Sequence, residues 1–394
     1  MRICIWTSSV FKLGGTKRVV TMLANKLTEQ HEVTILTFDS PQKEDRTMYG
    51  LDSKVNIEYI QSQNFRDHTH VGKALRSVIK RINNKTGFFN KAQYVELIRD
   101  SFYPKFIREK WIKYINSFEF DVVIATAGLS LHLAVIADEI KAKTLGWQHS
   151  CYDAYVNQKG VLFWKKDELL KKYFAKLDAV IVLSDYDKDA FKKNLGITCV
   201  SIGNPRSFVS EEKTDITQKN FFIASRFEKA KGLEFGIEAF AKFCTVDDEW
   251  NLIIAGDGRL RKKIIDLVWK YGIQERVRFV GTTSDVKKYY LQSSVYLLPS
   301  RWEGWGLVII EAFEMGMPVV AFDVGPIDLL ITSGVDGIVV PKYNVDMFAA
   351  AMTKLAHDEE LRTEMSKHVS YKAEKYSDDA IAKEWINLLE GLNV

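Results

Sequence analysis

Only four cysteines occur in 394 residues, at Cys4, Cys151, Cys199 and Cys244. No two form a C-x-x-C pair, and none stands at a spacing that joins a histidine in a zinc site, which excludes a disulfide framework and a thiolate metal centre. A reducing cytoplasm is the expected location. Proline is scarce at seven residues, and no segment is of low complexity. A run able to span a bilayer is also missing. The longest apolar stretch, VVIATAGLSLHLAVIA from Val122, carries Gly128 and His132 and runs into Asp138 and Glu139. It reads as a buried strand followed by a helix. The opening MRICIWTSS has neither the basic start nor the apolar length of a signal peptide and reads as a short strand.

What is present is a folding composition, with 46% hydrophobic and 27% charged residues, and a length that suits two or three domains. The net charge of +4 hides an asymmetry. Residues 1–205 hold 31 Lys/Arg against 22 Asp/Glu, whereas 206–394 hold 24 against 29. Much of the excess lies in 62–115, where 12 basic residues face 4 acidic ones among Phe88, Phe89, Phe102, Tyr103, Phe106 and Trp111. Such a stretch fits a surface resting on anionic lipid at the inner membrane face. It equally fits solvated helix faces with the aromatics in the core. A nucleic-acid partner is not expected.

Short β-branched runs alternate with amphipathic stretches throughout, the pattern of parallel sheets covered by helices. RICIWTSS, HEVTILTF, DVVIATA, KTLGWQH and DAVIVLS are strand candidates in the first half. NFFIASRF, NLIIAGD, VRFVG, VYLLPS, PVVAFD and GIVV are those of the second. In TKRVVTMLANKLTEQ, Val19, Val20, Leu23 and Leu27 fall on one helical face. An α/β fold of two Rossmann-like, doubly wound domains follows. The joint is expected within 201–220, giving domains 1–205 and 206–375, with a terminal helix in 376–394 packing back towards the first. Ligands of such folds bind at the carboxyl ends of the strands, so the site is expected in the cleft between the two units.

Several residues at those strand ends could carry chemistry. Gly14 and Gly15 separate the first strand from its helix, where glycine lets backbone N–H groups approach a phosphate. They do not complete a G-x-G-x-x-G dinucleotide fingerprint. Arg226 and Lys231, in IASRFEKAKG, are two cations at a strand end that could clamp a pyrophosphate. Asp257, in AGDG, could accept from a nucleotide. In PSRWEGWGLVIIEAFE the strand VYLLPS gives way to a turn, Glu303 to Gly306, and to a helix beginning near Leu307. The helix start suits a phosphate, and carboxylates such as Glu303 and Glu311 accept well from hydroxyls. A nucleotide sugar meets both demands.

The run from Pro299, P-S-R-W-E-G-W-G-L-V-I-I-E-A-F-E-M-G-M-P-V-V-A, with G-P-I-D-L-L and G-V-D-G-I-V-V-P after it, resembles the E-x7-E signature of family 4 retaining glycosyltransferases of GT-B fold. G-G at Gly14 and Gly15, W-Q-H ending at His149, S-R-F…K-G, G-D-G and V-R-F-V-G extend the resemblance over nearly the whole chain. It implies that Arg226 and Lys231 hold the donor diphosphate. Glu311 would bind the ribose, and Glu303 the donor-sugar hydroxyls at the reacting face. The Gly304–Trp305–Gly306 backbone and Leu307 would assist sugar and phosphate, His149 would contact the donor sugar, and the base would lie near Val280. Lys17, Trp305, Glu314 and Asp328 depart from the usual pattern and bear on donor and acceptor choice.

Asp185, Asp187 and Asp189 form D-x-D pairs, which elsewhere mark metal-dependent transferases. Here Ser184 is placed to cap a helix with acids in its first turn, so the pairs read as structural and neither metal nor cofactor is expected. The expected activity is retaining transfer of a hexose or N-acetylhexosamine, from a UDP-sugar before a GDP-sugar, to a glycan or lipid-linked glycan. Capsule, lipopolysaccharide and teichoic polymers are the model products, as in bacterial surface-polysaccharide synthesis. A retaining hydrolase, a nucleotide-sugar epimerase and a non-catalytic binding module stay open at this level.

Overall fold

The computed structural model describes residues 1–65, 70–283 and 285–392, so residues 66–69 of the basic stretch lie outside the description. The chain divides into two compact units, Met1–Asn204 with Asp378–Val394, and Pro205–Ser377.

The first unit is built on a seven-stranded parallel sheet in the order β3-β2-β1-β4-β5-β6-β7. Its strands are β1 (Arg2–Thr7), β2 (Glu32–Thr37), β3 (Asn56–Tyr59), β4 (Val122–Thr126), β5 (Lys143–Trp147), β6 (Ala179–Val182) and β7 (Val200–Ser201). The central strands are near-continuous apolar runs because helices cover both faces of the sheet: Ile3 to Trp6 and Val122 to Ala125 are wholly buried. β3 and β7 are the two edges, and neither was legible in the sequence. NIEY keeps only partial burial and VS is two residues long, too little for a period to show.

Helix Gly15–Leu27 buries Val19, Val20, Leu23 and Leu27, the face its spacing defines. Against this helix lies the terminal helix Asp378–Glu390, which buries Ile381, Ala382, Trp385 and Leu389. Trp385 meets Trp147 edge-on at 4.7 Å, and the Lys26 ammonium reaches Asp379 at 2.6 Å.

The second unit carries a six-stranded parallel sheet, β10-β9-β8-β11-β12-β13. Its strands are β8 (Asn220–Ala224), β9 (Asn251–Ala255), β10 (Val277–Gly281), β11 (Val295–Leu298), β12 (Val319–Phe322) and β13 (Gly337–Val340). The chain winds outward from β8 through β10, then returns to lay β11 on the other side of β8. The strand order thus reverses between β8 and β11, the switch point at whose carboxyl ends open α/β sheets bind ligands. The two sheets with their covering helices are the Rossmann-like domains of an α/β fold.

One core group has a pH consequence. His132 lies among Trp6, Tyr103 and Trp111, with ring centroids 5.0–5.4 Å away, and its Nε2 has no partner among the described residues. Burial pushes its imidazole from 6.5 down to about 3. An unfolded chain takes up a proton there below pH 6.5 and the folded unit does not, so stability is full above pH 6.5 and falls as pH drops towards 3. His132→Phe keeps the aromatic contacts without titrating. Urea midpoints measured from pH 7 to pH 4 should fall less steeply in the variant; parallel curves would refute this account.

Candidate active site

The crevice of the second unit is shaped by two loops that glycine allows to touch. Gly232 ends the loop after β8 in the left-handed region, φ +57°, and a Cβ there would lie 2.1 Å from the Pro299 carbonyl oxygen. The Arg301 N–H donates to the Ala230 carbonyl at 2.7 Å across the same contact. Lys231 is thereby delivered to Glu303, with its Nζ 2.8 and 2.9 Å from the two carboxylate oxygens. Ser300 Oγ donates to Glu303 Oε1 at 2.5 Å. Glu303 is only 6% exposed, so its charge is stabilised by these two neighbours in place of water.

Helix Leu307–Glu314 follows, entered through Gly306 at φ +83° with no capping side chain and no acid in its first turn. The positive end of the helix is thus left without a neutralising carboxylate of its own. Glu311, one turn further in, is 8% exposed and accepts from the buried Tyr290 hydroxyl at 3.2 Å. Trp305 is buried edge-on against Tyr376 at 5.7 Å. Glu314, one of the departures noted in the sequence, is 2% exposed at the end of the helix. It accepts from Arg206 Nη1, Lys213 Nζ and the Ser210 N–H, each at 2.8 Å. Arg206 also donates its N–H to the Tyr376 carbonyl at 2.7 Å, so the chain's entry to this unit is tied beside its exit and to this helix.

The remaining residues expected in this unit take separate positions. Asp257 follows β9 and is half exposed, accepting from the Gly258 N–H at 2.7 Å and facing Arg261 at 3.8 Å. Its flanking Gly256 has φ +129°, and a Cβ there would meet the Ser225 carbonyl oxygen at 1.9 Å, so this turn too is pressed against the loop after β8. Val280 lies at the register shift near the end of β10. Arg226 is 75% exposed and turned to Glu228 at 3.1 Å, while Lys231 points at Glu303. The two cations sit on one loop with different partners.

In the first unit, Gly14 adopts φ +151° and caps helix Gly15–Leu27, and its N–H donates to the Tyr49 hydroxyl at 2.8 Å. Asp39, just beyond β2, holds the loop that leads there. It accepts from the Val10 and Phe11 N–H groups at 2.6 and 3.1 Å and from Ser9 Oγ at 2.7 Å. Burial alone would raise its carboxyl, but these bonds outweigh it and the group titrates below its ordinary range. His149 stands just past β5 beside Trp147, at 4.3 Å between ring centroids. Burial, helped by the Lys17 charge, pushes its imidazole down to about 3, so it is neutral at physiological pH. A neutral imidazole offers one donor and one acceptor, and both ring nitrogens lack a partner among the described residues.

The D-x-D residues point apart. Ser184 caps helix Asp185–Leu195 by accepting from the Asp187 N–H. The buried Asp187 carboxyl accepts from Ser184 Oγ and from the Tyr152 N–H, both at 2.7 Å, and burial raises it to about 6. Asp185 faces outward to Lys188 at 3.6 Å. Among the described residues no group of three or more His, Cys, Asp or Glu side chains is placed to hold a metal.

Sequence reasoning missed Ser300, Tyr290, Asp39 and Tyr49. An acid two residues past a strand end, as in TFDS, was a usable signal for Asp39. Tyr290 sits 21 residues before the carboxylate it serves, and no spacing announces that contact.

Comparison with known proteins addresses the family and the fold. The model described as Glycosyltransferase Family 4 matches residues 13–204, and that described as Glycosyl transferases group 1 matches residues 207–372. An uncharacterised glycosyltransferase of Haemophilus influenzae is 23% identical, covering 98% of this chain and 99% of its own. The TarM variant of S. aureus, solved with fondaparinux, alpha-GlcNAc-glycerol and UDP, superposes with a TM-score of 0.76 at 17% identity over 98% of this chain and 99% of its own. HepE of Anabaena, solved with UDP and glucose, gives 0.75 at 16% identity over 99% of this chain and 100% of its own. The fold is GT-B. With two matches that together take in most of both units, the chain belongs to the family 4 type of glycosyltransferases.

Two expectations follow from the geometry. Because Lys231 and Glu303 neutralise each other, removing either leaves the other's charge uncompensated. Lys231→Ala, Glu303→Ala and the double variant should therefore be non-additive in urea unfolding by about 1–3 kcal/mol, and simple additivity would show the pair to be idle. Glu314→Ala strips a partner from Arg206 and should lower stability by about 3 kcal/mol; a loss under about 0.5 kcal/mol would show that the cluster holds nothing.

Proposed function

We propose that the protein transfers a hexosyl or N-acetylhexosaminyl group from a UDP-sugar to a hydroxyl of a glycan or lipid-linked glycan, with retention at the anomeric carbon and without a metal. Cell-surface polysaccharide or glycoconjugate synthesis is the setting this activity suits. The observation that carries the reading is the Lys231–Glu303 pair at the head of a helix whose positive end has no side-chain cap. An ammonium and free helix N–H groups suit a diphosphate, and a fixed carboxylate beside them suits sugar hydroxyls. That TarM and HepE were each solved with UDP supports the choice of nucleotide.

In this reading Lys231, Arg226 and the Gly304 to Leu307 backbone hold the diphosphate and stabilise the charge that grows on it as the glycosidic bond breaks. Glu311 accepts from the ribose, Asp257 and Val280 border the nucleotide, and Glu303 accepts from hydroxyls of the transferred sugar. Neutral His149 hydrogen-bonds the transferred sugar, and the Gly14 and Gly15 backbone approaches the donor. The acceptor hydroxyl attacks from the face the diphosphate leaves, and its proton passes to the departing phosphate oxygen. No carboxylate nucleophile is needed.

A thermal-shift panel of UDP, GDP and ADP sugars tests the donor. A ligand at 100 times its dissociation constant stabilises the folded form by about 2.7 kcal/mol, so the UDP series should stand apart. Glu311→Ala should weaken UDP-sugar binding about tenfold to a hundredfold, the loss of one or two charge-assisted hydrogen bonds. Glu303→Ala should lower kcat about a hundredfold with a smaller change in donor affinity. Full activity in both variants overturns the roles. Donor turned over to an epimer with no acceptor present overturns the reaction.

A further inference from the structure

Two segments far apart in sequence form one basic, apolar face in the first unit. Helix His70–Thr86 directs Leu75, Val78 and Ile82 to solvent, at 64%, 51% and 38% exposure, and Phe88, just past its end, is 51% exposed. Residues three and four apart share a helix side, so Leu75, Val78 and Ile82 form an exposed apolar stripe among the described residues. Beside it the loop 158–166 is fastened to the end of the helix. Asn83 Nδ2 donates to the Lys165 carbonyl at 2.7 Å, and Trp164 Nε1 donates to the Asn84 carbonyl at 2.9 Å. Val161 and Leu162 add two more exposed apolar side chains.

The two segments carry charge of one sign, and Asp167, which accepts from Asn90 Nδ2 at 2.5 Å, stands at their border. Residues 70–91 and 158–166 contain nine Lys/Arg and no Asp or Glu, although the whole chain is nearly balanced at 55 against 51. Arg76 and Lys80 lie over the Phe106 and Phe102 rings, and Lys166 also covers Phe102. Lys73, Arg81, Lys85, Lys91 and Lys159 are exposed. Exposed apolar side chains interleaved with cations would be an aggregation hazard on a face meant for water. They match the boundary of an anionic bilayer, where aliphatic tips enter the headgroup layer and cations meet lipid phosphates.

We propose that this face docks the protein on a membrane containing anionic lipid. The placement gives the contact a use, which rests on the glycosyltransferase reading. Leu162 lies over Gly128, where an added Cβ would approach its Cδ2 to 3.1 Å, and Gly128 begins the helix that follows β4. The docking loop therefore borders the carboxyl edge of the first sheet, and a lipid-linked acceptor would arrive at that edge from the bilayer.

Co-sedimentation with phosphatidylcholine vesicles, with and without phosphatidylglycerol, tests the proposal, with the UDP thermal shift followed in parallel. The protein should bind the phosphatidylglycerol vesicles at least about tenfold more tightly, and added salt should weaken that binding. Arg81→Glu with Lys85→Glu should reduce the affinity by more than about tenfold. Leu75→Ser with Val78→Ser should reduce it by about tenfold while leaving net charge untouched. All variants should keep the UDP shift, which shows that they fold. Equal binding to both vesicle types, binding the substitutions leave intact, or retention on polyglutamate without vesicle binding would overturn the proposal. A missing UDP shift in the unsubstituted protein would instead strike the donor reading and leave the docking result standing.

Discussion

An ammonium held within 3 Å of a nearly buried carboxylate organises the second unit's crevice. Neither partner could occupy its place alone, because a buried charge without a counter-charge costs several kcal/mol. Bringing them together requires the loops after β8 and β11 to touch, and touching requires Gly232 against Pro299. The strand order supplies the rest: with β11 next to β8, two loops separated by about seventy residues of chain become neighbours. Sheet topology, one glycine and one ion pair are thus a single constraint seen at three scales.

That constraint extends to the far end of helix Leu307–Glu314. Its first residue follows the loop that carries Glu303, and its last is Glu314, buried among Arg206, Lys213 and the Ser210 amide. The helix is pinned at both ends by charge, and its middle is apolar, with Ile309, Ile310, Ala312 and Phe313 buried. A helix so held has little freedom to rotate Glu311 away from Tyr290. The rigidity suits an element whose amides and carboxylate must be set before a ligand arrives, since positioning achieved in advance is not subtracted from binding.

Most of the fold was legible because parallel strands buried on both faces announce themselves as apolar runs, and all eleven runs marked in the sequence became strands. The edge strands β3 and β7 escaped because partial burial and brevity erase the pattern. At the candidate site, glycines and charged residues at strand ends could be named, yet their pairing could not. Lys231 and Arg226 look alike in IASRFEKAKG, and only folding turns one towards Glu303 and the other towards Glu228. The loop 158–166 is a second case. Its basic residues gain meaning only once hydrogen bonds lay it beside helix His70–Thr86.

Two carboxylates beside the positive end of a helix would ordinarily neutralise it and close it to anions. Here each has a partner of its own. Glu303 is matched by Lys231 and Ser300, and Glu311 lies a turn inside the helix against Tyr290. Because Gly306 supplies no side chain at the cap, neither carboxylate is drawn onto the first amides. The dipole stays available to a phosphate while the carboxylates stay available to hydroxyls, and both sit within one loop and two helical turns. A ligand with a diphosphate on one side and alcohols on either flank satisfies all of these groups at once, whereas a simple anion or a simple sugar satisfies only half.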